Sequence, residues 1–108
     1  MNIIDEIENP KGTPLIYDKY KDYYVGGNVK GQWLFRFNNL GASVVKHYGS
    51  YGYENDLFEL AVIHFINENN IFELDYTTEI TDDVLGYLTN ENVLEYLEKI
   101  KKLGDSNE

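Results

Sequence analysis

Two histidines, His47 and His64, carry the side chains in this sequence that exchange protons near neutral pH. Each sits in a run of strand-forming residues, "ASVVKHY" and "LFELAVIHF". If those runs pair, the imidazoles become neighbours across a sheet and, with a carboxylate such as Glu59, a potential metal set. The sequence around them argues otherwise: there is no HExxH motif and no closely spaced His/Asp cluster. His64 shares its side of a period-two strand with Phe58, Leu60 and Val62, the setting of a partly buried, hydrogen-bonded histidine. Serine chemistry fares no better, because "GASV" and "GSYG" each lack a flanking glycine of the GxSxG elbow. No Walker loop or GxGxxG turn is present, and "DYTTEITDD" lacks the spacing and the glycine of a calcium loop. The absence of cysteine removes disulfides, thiolate metal sites and a cysteine nucleophile. The chain is therefore expected not to be an enzyme and to need no cofactor and no metal.

Tyrosines and carboxylates remain. The stretch "HYGSYGYEND", residues 47–56, sets Tyr48, Tyr51 and Tyr53 among glycines that let the backbone turn, and Glu54 and Asp56 follow directly. Tyrosine offers rigid amphipathic contact area of the kind enriched at interfaces. The segment reads as a contact loop, the alternative being a strand connection with its rings packed inward.

Charge is divided unevenly along the chain. Residues 1–53 carry five acids and six bases, whereas residues 54–108 carry fourteen acids and three bases. Between Glu54 and Glu98 twelve acids occur without a lysine or arginine, so no sequence-adjacent base neutralises them. Such a field repels nucleic acid and anionic membrane and attracts basic partners. Ten tyrosines are tempting as base-stacking platforms. Affinity for a polyanion, however, comes mainly from Lys and Arg on its phosphates, and nine bases against nineteen acids point the wrong way. Direct nucleic-acid binding is not expected. On "IFELDY", Glu73 and Asp75 share a face about 7 Å apart at strand rise. Glu79, Asp82 and Asp83 follow, and Glu91, Glu95 and Glu98 line one helix edge. Carboxylates at these intervals approximate the charges of a nucleic-acid backbone. The expected partner-binding residues are Tyr48, Tyr51, Tyr53, Glu54, Asp56, Glu73, Asp75, Glu79, Asp82 and Asp83.

The elements that must position these residues follow from periodicity. A length of 108 residues with 43% apolar content suits one domain, 1–108. Residues 1–31, punctuated by Pro10, Gly12, Pro14, Gly26, Gly27 and Gly31, read as irregular chain with room for a short strand or helical turn. Within them Tyr17, Tyr20, Tyr23 and Tyr24 have helix-like spacing and the character of core packing. From Gln32 the period becomes two: "QWLFRF", a turn at "NNLG", "ASVVKHY", then "LFELAVIHF", "NENN" and "IFELDY" predict four antiparallel strands over 32–76. Residues 81–103 read as helical, with Thr81 capping a short first element weakened by Gly86. Thr89 caps a second whose stripe is Val93, Leu94, Leu97, Ile100 and Leu103, with Gly104 as the C′ residue. Residues 105–108 are expected to fray. The fold class is α+β: an antiparallel sheet of about four strands with one or two C-terminal helices on one face. The N-terminus lacks the basic and apolar regions of a signal peptide, and no segment approaches the roughly 20 apolar residues of a membrane span. A soluble, cytoplasmic protein with no membrane partner is expected.

From Phe35 to about Val93 the chain resembles a family of small acidic proteins encoded by bacteriophages and prophages. The likeness rests on Gly41–Val44, Gly49–Gly52, Leu57–Val62 and Ile80–Asp83, which match the family's Gly-Ala-Ser-Val, Gly-Ser-Tyr-Gly, Leu-Phe-Glu-Leu-Ala-Val and Ile-Thr-Asp-Asp segments as they stand. The first turn departs, with Asn39-Leu40 where the family has Gly-Tyr, so no role of that tyrosine carries over. The resemblance implies a phage-type origin and no particular activity. Joined to the charge, it leads to an expectation of protein–protein binding. The expected partner is a basic host protein such as a nuclease or CRISPR effector, inhibited in the bacterial cytoplasm by an anti-CRISPR or anti-restriction type of protein that acts as a nucleic-acid mimic. The alternative is a phage accessory or assembly protein with a homo-oligomeric role. A metal- or histidine-dependent enzyme ranks behind both.

Overall fold

A computed structural model describes residues 19–28, 31–81 and 83–106, and the side chain of Asn28 is not among them. The irregular chain expected over 1–18 and 29–30, Asp82, and the last two residues of the expected frayed tail lie outside the described residues. Among the described residues, six strands and one long helix make an α+β arrangement: β1 (Tyr24–Asn28), β2 (Gln32–Phe37), β3 (Leu40–Val45), β4 (Phe58–Phe65), β5 (Phe72–Leu74), β6 (Leu85–Leu88) and α1 (Asn90–Ser106). The sheet runs β1-β2-β3-β4-β5, antiparallel throughout, and β6 pairs with the remaining length of β4.

Alternation in β2 decides the layers. Trp33, Phe35 and Phe37 are buried under α1 while Gln32, Leu34 and Arg36 point the other way and are half-buried. Ala42 and Val44 on β3, and Phe58, Leu60 and Val62 on β4, complete the same face. Against it the helix lays Val93, Leu97 and Ile100, all fully buried, with Leu94 and Leu103 partly so. Truncating Leu97 to alanine would remove contacts at the centre of this layer, a change that costs about 2–5 kcal/mol in well-packed cores. The opposite face of β3 and β4 is also buried, at Val45, Ala61, Ile63 and Phe65. Strands covered on both faces read as near-continuous apolar runs, as "LGASVV" and "FELAVIHF" do. The Arg36 guanidinium lies 4.7 Å from the centre of the Phe65 ring. It donates to Asn38 O, Asn67 O and Asn70 Oδ1, tying together the turns that end β2 and β4.

Of the tyrosines with helix-like spacing, Tyr17 lies outside the described residues, Tyr20 is core packing, and Tyr23 and Tyr24 are partly buried against that core. Lys19 and Tyr20 are helical, and Lys21–Tyr23 form a single 3-10 turn. Tyr20, 3% exposed, sets its ring 6.4 Å from Phe35 and 6.1 Å from Phe37 in edge-on contacts. Tyr24 opens β1, so the short strand allowed for within residues 1–31 is present as an edge strand.

The expected helical region 81–103 needs two corrections. Residues 85–88 are a strand, because Leu85 and Leu88 pair with Leu60 and Phe58 and cover the end of β4 that β5 does not reach. A helix holding Gly86 would give up about 1 kcal/mol of propensity and leave those β4 backbone groups without partners. Thr81 does not cap a helix; its Oγ1 accepts from Asp83 N and donates to Asp83 O in a tight turn. Thr89 does cap α1, reciprocally: Asn92 N donates to Thr89 Oγ1 at 3.2 Å and Thr89 N to Asn92 Oδ1 at 3.1 Å. The second correction is Gly104, which lies inside the helix and not past its end. A Cβ there would sit 2.4 Å from Phe37 O, so the residue is glycine because helix and sheet backbones meet at this point.

Candidate functional site

The loop between β3 and β4 is held by its own backbone. Ser50 N donates to His47 O, Asn55 N and Leu57 N both donate to Gly52 O, and Asp56 N donates to Tyr53 O. The Ser50 hydroxyl adds a bond to His47 O at 2.8 Å and accepts one from His47 N. Gly49 and Gly52 take φ of 95° and 98°, and Asp56 takes 62°. Gly52 has no room for a side chain, since a Cβ would approach Tyr87 Cα to 3.0 Å. The loop and β6 are thus locked together, with Tyr87 N donating to Tyr51 O at 3.3 Å.

This scaffold turns four rings to the outside. Tyr48 is 89% exposed, Tyr51 58%, Tyr53 41% and Tyr87 60%. They stand in two pairs, Tyr48 with Tyr53 at 6.3 Å and Tyr51 with Tyr87 at 6.5 Å between ring centres. The alternative of inward-packed rings does not hold for this loop. Tyr87 is not among the residues expected at the site, because the composition of its segment predicts a helix. Its φ of 57°, unusual for a bulky residue, falls beside the irregular register between β6 and β4 and aims the ring at Tyr51. A strand reading of "VLGYL" would have brought it into view.

The carboxylates around these rings differ in their engagements. Asp56 is neutralised: its Oδ1 lies 3.1 Å from Lys46 Nζ, whose side chain is 5% exposed and stands 4.2 Å from the centre of the Phe58 ring. Glu59 Oε1 accepts from Tyr51 N at 3.0 Å. Asp83 Oδ1 accepts from Val84 N at 2.7 Å. Glu54 is exposed and has no ion pair among the described residues.

Glu73, Asp75 and Glu79 lie elsewhere. Glu73 pairs with His64 across β5 and β4, and Asp75 N donates to Val62 O. That places them toward the far end of β4, which spans about 20 Å from Phe58 to His64 at strand rise. There Asp75, Glu79 and His64 share an open cleft of about 470 Å³ with Asn38, Asn39 and Leu40. The Thr77 hydroxyl and N–H on Asp75 Oδ1 hold its carboxyl below the usual carboxylate range, against a smaller opposing effect of partial burial and with help from nearby His64.

The two histidines are not neighbours. His64 is opposite Leu40 at the start of β3, while His47 follows the end of that strand, where its Nδ1 is 3.1 Å from Tyr48 O. An antiparallel pair carries the two sequence positions to opposite ends, which undoes a joint two-histidine site. Among the described residues no three histidine, aspartate or glutamate side chains converge as a metal set would.

The acidic helix edge is interrupted as well. Glu91, Glu95 and Glu98 share a shallow groove with Lys19, Lys99 and Lys102. The carboxylates therefore gather in separate places, with bases among them on the helix. No helix among the described residues is long and apolar enough to cross a membrane. Comparison with protein-family models, with curated proteins and with solved structures finds no match for this chain.

Proposed function

We propose that this protein acts by binding a basic protein partner through the surface formed by Tyr48, Tyr51, Tyr53 and Tyr87 with Glu54, Glu59 and Asp83. The observation that carries the reading is a set of four exposed rings, standing in two pairs on one braced scaffold. Exposed aromatic surface of this size costs hydration free energy unless a partner covers it, and tyrosine is enriched among residues that anchor interfaces. Carboxylates at its border favour a positively charged partner and speed its approach. In the phage setting that the sequence resemblance implies, the partner is a host nucleic-acid-handling defence protein, such as a nuclease or CRISPR effector, in the bacterial cytoplasm. The acidic rim would then compete with nucleic acid for a basic channel, while the rings supply contact that a mimic of phosphates alone lacks.

The test is affinity capture of the tagged protein from host lysate at low and high salt, beside the variant Glu54→Lys/Asp83→Lys. A basic nucleic-acid-handling protein retained at low salt, released at high salt and lost by the variant is the expected result. Retention indifferent to both salt and charge reversal overturns the reading.

A second reading, self-association in an accessory or assembly role, is favoured by a different observation. Ile66, Ile71, Leu74 and Tyr76 are exposed at 57%, 55%, 52% and 39%, on and beside the short strand β5. Apolar residues beside a sheet edge are a known route to pairing between copies.

A further inference from the structure

Between the loop and β6 lies a recess of about 350 Å³, lined by Tyr51, Asp83, Val84, Gly86 and Tyr87. We infer that it is a receptor for a single arginine side chain of the basic partner, an inference that rests on the partner-binding reading above and names its chemistry.

Three features of the recess select that ligand. It is an open surface recess and not an enclosed cavity, which suits the flat end of a side chain presented by a partner more than a small molecule that must be surrounded. Two of its walls are the rings of Tyr51 and Tyr87, inclined at 30° with their centres 6.5 Å apart and both more than half exposed. Open aromatic faces attract cations through the ring quadrupole, and the flat guanidinium also stacks on them, which a lysine ammonium cannot do. The third feature is charge. Asp83 commits Oδ1 to Val84 N, while its Oδ2 takes no hydrogen bond among the described residues. The Glu59 carboxylate adjoins Tyr51. Among the described residues no base lines the recess. A guanidinium stacked on the rings would have a carboxylate lining the same recess to pair with, and arginine's fork of donors fits such a partner.

The backbone that carries the rings is also set in place before any ligand arrives. Gly86 leaves space that Tyr51 fills, since a Cβ on Gly86 would stand 2.7 Å from Tyr51 Cβ. Tyr87 is held at φ 57° by the fit of its backbone against Gly52. Strain of this kind persists where surrounding structure enforces it, and a backbone fixed beforehand leaves less freedom to be lost on binding.

The experiment uses the full chain with carbon-13-labelled tyrosines, titrated at low salt with the peptide Ac-Gly-Arg-Gly-Arg-Gly-NH2 and with its lysine and citrulline counterparts. The arginine peptide is expected to shift the Tyr51 and Tyr87 ring signals, the lysine peptide to bind more weakly, and citrulline, which keeps the shape without the charge, to leave them unmoved. Tyr87→Asn is the chosen ring deletion because asparagine tolerates the left-handed backbone there. That variant and Asp83→Asn should each weaken arginine-peptide binding about three- to tenfold. Equal binding of citrulline and arginine peptides overturns the inference. So does an arginine peptide that binds with salt sensitivity but moves other tyrosines, in which case the basic-partner reading stands without this recess. If no basic peptide binds anywhere at low salt, both fall.

Discussion

Among single residues, Tyr20 has the most displaced ionisation described. Burial, reinforced by the Glu98 carboxylate, pushes its phenol up to about 12 from an ordinary 10.0. Its hydroxyl reaches Glu98 Oε2 at 3.4 Å and Leu94 O at 3.5 Å. A phenol whose proton is held more tightly in the folded state contributes stability that is whole below pH 10 and is lost as pH rises toward about 12. Alkaline unfolding should therefore steepen across that window, and Tyr20→Phe should flatten the slope when midpoints in denaturant are measured from pH 9 to 12. Lys46 and Asp56 teach another lesson at this scale. In the sequence Asp56 counts toward an unrelieved acidic run, yet in the fold it offsets a buried ammonium. Its value as a partner contact is reduced accordingly, which leaves Glu54 and Asp83 as the carboxylates worth reversing.

For the elements, the junction of α1 with β2 makes a prediction that runs against helix propensity. Glycine inside a helix costs about 1 kcal/mol relative to alanine, so an exposed Gly104→Ala would stabilise. Here the added Cβ meets Phe37 O at 2.4 Å and Phe37 Cβ at 3.1 Å, and the bond from Asn38 Nδ2 to Gly104 O would be disturbed as well. The clash involves backbone that cannot swing aside, so net destabilisation of about 1–3 kcal/mol is expected by chemical denaturation. The strand β6 shows the converse, a segment whose local composition was ambiguous and whose state was decided by a distant strand. Its four residues matter out of proportion to their length, because they deliver Tyr87 to the tyrosine loop.

At the level of the whole molecule, the tyrosine surface and the apolar residues beside β5 occupy different ends of the sheet. They make separable predictions. If self-association belongs to the apolar end, sedimentation should show concentration-dependent mass that Leu74→Glu abolishes. The same substitution should leave salt-sensitive capture of a basic partner at the tyrosine end unchanged. Capture lost together with oligomerisation would mean that partner binding needs the assembled form. The uneven charge seen along the chain is softened in three dimensions, since Lys46 pairs with Asp56 and three lysines share the groove of the helix glutamates. The field that remains is a set of local patches, screened within about 10 Å at ordinary ionic strength.

Much of the architecture was legible before folding because it depends on local periodicity. The alternation of Trp33, Phe35 and Phe37, the turn at Asn38, the apolar run of β4 and the capped stripe from Val93 to Leu103 each state their own element within a dozen residues. The exposure of Tyr48, Tyr51 and Tyr53 follows from a loop whose glycines announce it. What sequence neighbours cannot report is pairing over long separations. Leu85 and Leu88 became strand because Phe58 and Leu60 needed partners; Gly104 proved a contact glycine because Phe37 lies beneath it. The two histidines parted because antiparallel pairing sends positions late in β3 and late in β4 to opposite ends. The Tyr51–Tyr87 recess exists for the same reason: its two walls are 36 positions apart in the chain and meet through backbone contacts that no local pattern encodes.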